Sequence, residues 1–198
     1  MDNCDYFSIN WTSDIKIKID YGSVFKTQRT VVPCLWIRFV WKICNKFFQK
    51  KGIKKFKVWD DNKKKVHIKY RSKNLIHTLN QVDYIVLSPG ISLLKNKKLS
   101  KFKKKIITDI DLFYLHDNRF KSIVVTGTNG KSTTCKLIGH LLKQNNFKYS
   151  LGGNIGMPIL NLKNCKNNFV IIEASSFQLS HSKFICPDYA LFLNFSND

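Results

Sequence analysis

The chain has 198 residues and a formal net charge of +21, from 34 Lys+Arg against 13 Asp+Glu, with 43% hydrophobic and 13% aromatic residues. That is enough for a real core in one domain or two small ones. The six cysteines, Cys4, Cys34, Cys44, Cys135, Cys165 and Cys186, include no Cys-x-x-Cys pair, which excludes a zinc finger and fits buried thiols in a reducing compartment.

The charge is nearly all lysine; the arginines are Arg29, Arg38, Arg71 and Arg119. Phosphate-fork recognition prefers arginine. The lysine runs, such as Lys63-Lys-Lys65 and Lys103-Lys-Lys105, are dispersed along the chain. They read as solvated faces, and no specific nucleic-acid partner is expected. The start, Met1-Asp-Asn-Cys-Asp5, lacks the basic and apolar stretches of a secretory leader. The longest apolar run, Val31 to Ile37, is too short to span a bilayer. A cytoplasmic chain is expected.

In chain order, Ile15-Lys-Ile-Lys-Ile19 alternates like a strand. Residues 35 to 51 read as a helix capped by Gly52. Strands are expected at Lys57-Val-Trp59, ending in Asp60-Asp61, and at Asp83 to Leu87, ending in Ser88-Pro89-Gly90. Ile106-Ile107 is short and apolar and leads into a helix start at Asp109-Ile-Asp-Leu-Phe113. The polar break at Asn118-Arg119 marks a domain boundary. Beyond it come a strand at Ile123 to Val125 and a helix over 132 to 145, with Leu137, Ile138, Leu141 and Leu142 on its apolar face. A strand at Tyr149 to Leu151, a glycine loop at 152 to 156 and a short helix over 157 to 163 follow. Phe169 to Ile172 and Tyr189 to Leu193 are continuous apolar runs, expected as strands buried on both faces. Alternating strands and helices imply a mostly parallel sheet.

The stretch Ser122-Ile-Val-Val-Thr-Gly-Thr-Asn-Gly-Lys-Ser-Thr-Thr134 carries the clearest chemistry. Strand, glycine turn, Lys-Ser and helix in that order form a cradle for a nucleoside triphosphate. Backbone N–H groups of the loop and the helix start face the phosphates. Lys131 supplies charge to the β- and γ-phosphates, and the Ser132 hydroxyl is a Mg²⁺ ligand. The general pattern has a glycine where this chain has Val125; the plain alternative is a strand-to-helix turn with a surface lysine.

In a parallel sheet, ligands bind beyond the carboxyl ends of the strands. Four polar segments follow strands here: the phosphate loop, Gly152-Gly-Asn154, Glu173-Ala-Ser-Ser176 and Asn194-Phe-Ser-Asn-Asp198. All four are expected at one edge. Glu173 stands where a second Mg²⁺ contact belongs; the alternative is a helix cap or a surface acid.

Thr126-Gly-Thr-Asn-Gly-Lys-Ser-Thr133 resembles the ATP loop shared by Mur ligases and folylpolyglutamate synthases. Gly152-Gly-Asn-Ile-Gly156 and Glu173-Ala-Ser-Ser-Phe-Gln-Leu179 resemble the D-glutamate-adding members of the Mur ligases. Trp59-Asp-Asp61, Ser88-Pro-Gly-Ile91 and Asp109-Ile-Asp-Leu-Phe113 stand in the order that family uses. The resemblance runs from about residue 52 to 198.

It implies an α/β chain. A Rossmann-like N-terminal domain over residues 1–119, atypical over 1–51, is followed by a truncated P-loop-type parallel-sheet ATPase domain over 120–198. It implies an ATP-dependent ligase of peptidoglycan precursor synthesis, with ATP and Mg²⁺ as cofactors. UDP-N-acetylmuramoyl-L-alanine and D-glutamate would be the substrates and a monomer the working form. ATP would be held by Gly127, Thr128, Asn129, Gly130, Lys131, Ser132, Thr133 and Thr134. Lys131 and Glu173 would be catalytic, and Ser132 and Glu173 would hold the metal. Asp60 and Asp61 would face the uridine, Ser88, Pro89 and Gly90 the diphosphate, and Asn154, Ser175 and Gln178 the sugar or its reacting end.

Two departures accompany the resemblance. Between Gly22 and Gly52 there is no glycine, and Cys34, Trp36, Arg38 and Phe39 crowd the position where the family's first domain turns against the UDP. The 198 residues are also expected to lack the rest of the central domain and the C-terminal domain that binds D-glutamate, so that the chain is inactive alone.

Overall fold

The structure is a computed structural model, and it describes residues 32–35, 46–48, 56–60, 64, 67–87, 93, 96–116, 120–162 and 166–196. Two four-stranded sheets organise these residues, and every strand pair in both is parallel. The first contains β1 (Val32–Leu35), β2 (Phe56–Trp59), β3 (Ile85–Leu87) and β4 (Ile106–Ile107), in the spatial order β2-β1-β3-β4. The second contains β5 (Lys121–Thr126), β6 (Tyr149–Gly153), β7 (Phe169–Glu173) and β8 (Tyr189–Phe192), in the order β6-β7-β5-β8. The α/β class with parallel sheets is as expected.

Local chemistry accounts for the helices. Helix α1 (Leu75–Gln81) starts where the Asn74 side chain accepts a hydrogen bond from His77 N, a polar cap that satisfies a free N–H. Helix α2 (Lys97–Ser100) starts likewise, on Asn96 and Leu99 N. Helix α3 (Asp109–His116) carries Asp109 and Asp111 in its first turn, the end of a helix that favours negative charge. Helix α4 (Lys131–Gln144) follows the loop after β5, and α5 (Ser176–His181) follows β7.

In the second sheet the side chains of β5 and β7 alternate between two cores, as period-two strands must. Ile123, Val125 and Ile171 face Cys135 of α4. Val124, Val170 and Ile172 face the other way, into a core shared with Ile110, Leu112 and Phe113 of α3 and with Phe48, Phe56, Val58 and Val86 of the first half. A separate cluster of Leu79, Val82, Ile85, Leu87, Leu99 and Ile106 packs α1 and α2 onto the first sheet.

Three expectations are corrected. Residues 32–35 are a strand, so no helix begins at 35; pairing with β2 and β3 on both sides decides the local conformation, although 46–48 are helical. On α4 only Ile138 and Leu142 of the four apolar residues pack against the core, while Leu137 is 55% and Leu141 53% exposed. The buried stripe is Cys135, Ile138, Gly139 and Leu142, at spacings of three and four. Strand β8 is not buried on both faces: Tyr189 and Phe192 are exposed. Among the described residues β8 pairs only with β5, so one of its edges has no strand beside it. The strand expected at Ile15 to Ile19 and the cap at Gly52 lie outside the described residues, as do Trp36, Arg38 and Phe39.

The two halves are tied by polar groups as well as by the shared core. Asp111 Oδ1 accepts from Lys183 N (2.8 Å) and Phe184 N (2.7 Å), and its Oδ2 accepts from Thr108 N (2.8 Å). Asp109 Oδ1 accepts from Gln178 Nε2 at 3.1 Å and from Ile110 N. Burial pushes both carboxyls above the usual carboxylate range. A raised folded-state value means that the native state holds the proton more tightly. The associated stability is present below about pH 4, the unfolded value, and is lost as pH rises through the folded value. In Asp109→Asn the Oδ1 acceptor is kept and the titration is removed. The stability difference between wild type and this variant is therefore expected to move in favour of asparagine as pH rises above about 4, measured by urea unfolding across the pH range.

Candidate functional site

The site is built on the central strand of the second sheet. β5 ends at Thr126 between β7 and β8, so the loop that follows is flanked by the carboxyl ends of both neighbours. The chain turns through Gly127 to Gly130 and enters α4. Gly130 sits at φ +82 immediately before the helix, a left-handed conformation that a Cβ disfavours. The first turn of α4 closes with Thr134 N donating to Gly130 O at 2.9 Å.

The Lys131 ammonium lies over this loop. It donates to Gly127 O at 2.6 Å and to Thr128 O at 2.7 Å, which holds a full positive charge at the mouth of the turn. One residue on, Ser132 Oγ donates to Glu173 Oε2 at 2.8 Å. Glu173 is 3% exposed and sits opposite Val125 in the β5–β7 register. The plain alternatives weighed for Glu173 do not describe it, since it is buried and the helix cap beside it is Ser175.

Residues after the other strands complete the edge. Asn194, beyond β8, brackets Asn129: its Oδ1 accepts from Asn129 N at 2.9 Å and its Nδ2 donates to Asn129 O at 3.1 Å. Thr128 N donates to Asn194 O and Ser196 N to Thr128 Oγ1. In the sequence Asn194 stands out only as part of a segment following a strand. Its bracketing role depends on a partner 65 positions away, which no local pattern displays. Beyond β6, Asn154 N donates to Glu173 O at 2.9 Å, and the Asn154 side chain is exposed. All four polar segments thus meet at the carboxyl edge of one sheet.

Ser175 and Gln178 are placed differently from the rest. They form a capping box at the start of α5, with Gln178 Oε1 accepting from Ser175 N (3.0 Å) and Ser175 Oγ (3.1 Å). Gln178 is 3% exposed. Of the uridine and diphosphate candidates, Asp60 follows β2 and is buried, while Asp61, Ser88, Pro89 and Gly90 lie outside the described residues. Thr133 is exposed and Thr134 half-buried, both in the first turn of α4.

The donor set fits a magnesium-bound nucleotide. A hydroxyl and a carboxylate oxygen 2.8 Å apart are the hard oxygen ligands that Mg²⁺ takes, the rest coming from phosphate and water. No cluster of three or more His, Cys, Asp or Glu suited to a metal ion occurs among the described residues. Cys135, one turn into α4, is fully buried, and burial with the nearby Glu173 charge pushes its thiol up to about 11. A groove of about 600 Å³, lined in part by Lys101, Lys103, Lys104, His181 and Lys183, lies where β4 begins and α5 ends. It contains no residue of the loop.

Comparison with known proteins bears directly on this edge. Residues 125–198 match the family model described as the Mur ligase middle domain. That stretch of the chain is similar to Mur ligase middle domains. Over 126 residues, 62% of the chain, it is 42% identical to the UDP-N-acetylmuramoylalanine–D-glutamate ligase of Francisella tularensis subsp. tularensis (strain WY96-3418). Over 134 residues, 64% of the chain, it is 42% identical to the ligase of the same name from Rickettsia bellii (strain RML369-C). Each match covers 30% of the relative's length. A solved UDP-N-acetylmuramate:L-alanyl-gamma-D-glutamyl-meso-diaminopimelate ligase from Neisseria meningitides aligns with 85% of this chain and 62% of its own, at a TM-score of 0.44 and 14% identity. The matched segment begins at Val125, so it takes in the loop after β5, Glu173 and Asn194.

Proposed function

We propose that this chain carries the ATP site and part of the substrate site of a ligase of peptidoglycan precursor synthesis, one that adds D-glutamate to UDP-N-acetylmuramoyl-L-alanine. The observation that carries the reading is the 2.8 Å contact between Ser132 and Glu173 beside the Lys131 ammonium. The 42% identity to D-glutamate ligases supports the choice of amino acid.

In this reading a carboxylate oxygen of the UDP-linked substrate attacks the γ-phosphorus of ATP, giving an acyl phosphate and ADP. The D-glutamate amine then attacks the acyl carbon and phosphate leaves, forming the amide. Phosphoryl transfer is mostly a matter of placement and charge neutralisation. Lys131 meets the charge that builds on the γ-phosphate. The N–H groups of Gly130 to Ser132 face the phosphates at the start of α4. Ser132 and Glu173 would hold the cation, which would supply charge neutralisation to the phosphates. As the resemblance implies, Asp60 and Asp61 would face the uridine, Ser88, Pro89 and Gly90 the diphosphate, and Asn154 the sugar. Ser175 and Gln178 order its reacting end indirectly, as the cap of α5. The residues on either side of Asn118-Arg119 act as a UDP-substrate half and an ATP half, and the protein works in the cytoplasm as a monomer.

The test is binding to the purified 198 residues. ATP with Mg²⁺ and, separately, UDP-N-acetylmuramoyl-L-alanine are each expected to raise the thermal midpoint, while a folate does not. ADP release is expected to stay independent of D-glutamate, since none of the residues above is assigned to that amine. Protection by a folate instead of the UDP-substrate would transfer the reading to the folylpolyglutamate branch. No response to ATP would end it.

A further inference from the structure

The capping residue Gln178 has a second partner that the nucleotide site does not account for. Its Oε1 is fully engaged by Ser175 N and Oγ. The Nε2 end therefore points away from the cap, and in a side chain only 3% exposed it meets Asp109 Oδ1 at 3.1 Å. Asp109 lies 69 positions earlier, at the start of α3. The orientation of the amide is thus set by the first half of the chain.

What the amide holds is the turn that carries Glu173. The strand side of that turn is pinned already: Ala174 N donates to Val125 O at 3.0 Å, and Glu173 O accepts from Asn154 N at 2.9 Å. The helix side rests on Ser175, whose N–H and hydroxyl both end on Gln178. The far end of α5 is held from the same place. Asp111 Oδ1 accepts from Lys183 N and Phe184 N, and Thr108 Oγ1 and Ser182 Oγ lie 2.9 Å apart. One four-residue stretch, 108–111, fixes both ends of α5.

We propose that Asp109 is a positioning residue for the nucleotide site, acting through Gln178 and Ser175 on the turn that presents Glu173 to the cation. This rests on the ATP reading above. Loss of the Asp109 acceptor leaves a buried amide donor with no partner, and turning the amide over surrenders the Ser175 bonds. Either way the turn next to Glu173 loosens, while the phosphate loop, tied to Asn194 and β5, is untouched.

That separation defines the experiment. ATP affinity of the purified chain is measured with Mg²⁺ and again with EDTA. Asp109→Ala is expected to weaken Mg²⁺-ATP by about tenfold, the low end for a group that orients a metal ligand, and to leave metal-free ATP unchanged. Glu173→Gln should show the same signature, and Asp109→Asn, which keeps the accepting oxygen, should stay close to wild type. If Asp109→Ala lowers both affinities equally, or neither, the residue is merely structural and the proposal is overturned. Should that variant fail to fold, a polarity swap decides. Gln178→Glu faces a carboxylate with Asp109 and is expected to lose Mg²⁺-ATP affinity, and adding Asp109→Asn is expected to restore it. A pair that does not recover overturns the proposal. A wild-type chain that binds no nucleotide sinks the ATP reading itself, and this inference with it; binding whose Mg²⁺ dependence survives in Asp109→Ala sinks only the inference.

Discussion

Replacing Lys131 with alanine is expected to weaken ATP binding by about a hundredfold or more. The ammonium sits over the turn on Gly127 O and Thr128 O, within reach of any phosphate cradled there. Charge-assisted hydrogen bonds from that ammonium to the β- and γ-phosphate oxygens would contribute about 1.5–3 kcal/mol each, so the loss of two of them would amount to two or more powers of ten. The fold should barely notice. Lys131, Gly127 and Thr128 are half-buried, not sealed, so water can serve the two carbonyls. Titration calorimetry with Mg²⁺-ATP reads the first effect and thermal unfolding the second. An unchanged dissociation constant would mean that the loop is a plain turn with a surface lysine, the alternative the sequence left standing.

The largest effect on stability is expected from Gly153→Ala. Gly153 closes β6 at φ +108, and a Cβ added there would lie 2.3 Å from Glu173 O. Left-handed backbone costs about 1–2 kcal/mol for an L-residue, and forcing an atom into a packed site about 1–3 kcal/mol more. The obstacle is a backbone carbonyl of the strand that carries Glu173, which cannot swing aside as a side chain would. A destabilisation of about 3 kcal/mol or more follows, together with loss of Mg²⁺-ATP affinity, since the displaced atom belongs to the glutamate proposed to hold the cation. Chemical denaturation of this variant beside Gly156→Ala, whose Cβ would meet nothing closer than 3.7 Å, separates the clash from the shared cost of positive φ.

The two effects differ in how far they could be foreseen. The phosphate loop is a local object: strand, turn, Lys-Ser and helix are contiguous, and their order alone points to the chemistry. The meeting of Ser132 with Glu173 required one further step, the parallel pairing of two β-branched runs, which composition and alternation supply. Gly153 was visible as part of a glycine loop, but not its approach to Glu173 O, because that depends on the β6–β7 register. Gln178 and Asp109 are further still from local legibility. A buried amide spanning 69 positions leaves no periodic trace, and the family resemblance, which implied that Gln178 contacts the sugar or orders its reacting end, gave no sign of the bond to Asp109. The misjudged burial of β8 has a related cause. A run such as Tyr189 to Leu193 records how apolar a segment is, whereas burial depends on what stands beside it. In the first half, α1 went unread because Leu75-Ile-His-Thr-Leu-Asn-Gln81 is short and weakly periodic; its one clear signal was the Asn74 cap.

The thiol at the start of α4 carries a consequence for redox chemistry. Cys135 has no exposed surface and an acidity so weak, near 11, that at neutral pH only about one molecule in ten thousand presents a thiolate there. Of the two cysteines whose surroundings the structure describes, exposed Cys186 is the one that peroxide and alkylating reagents, which need that anion and a path to it, will attack. Modification at Cys135 would therefore report an excursion in which α4 has lifted from its sheet, a rare opening that the cysteine can count one chain at a time.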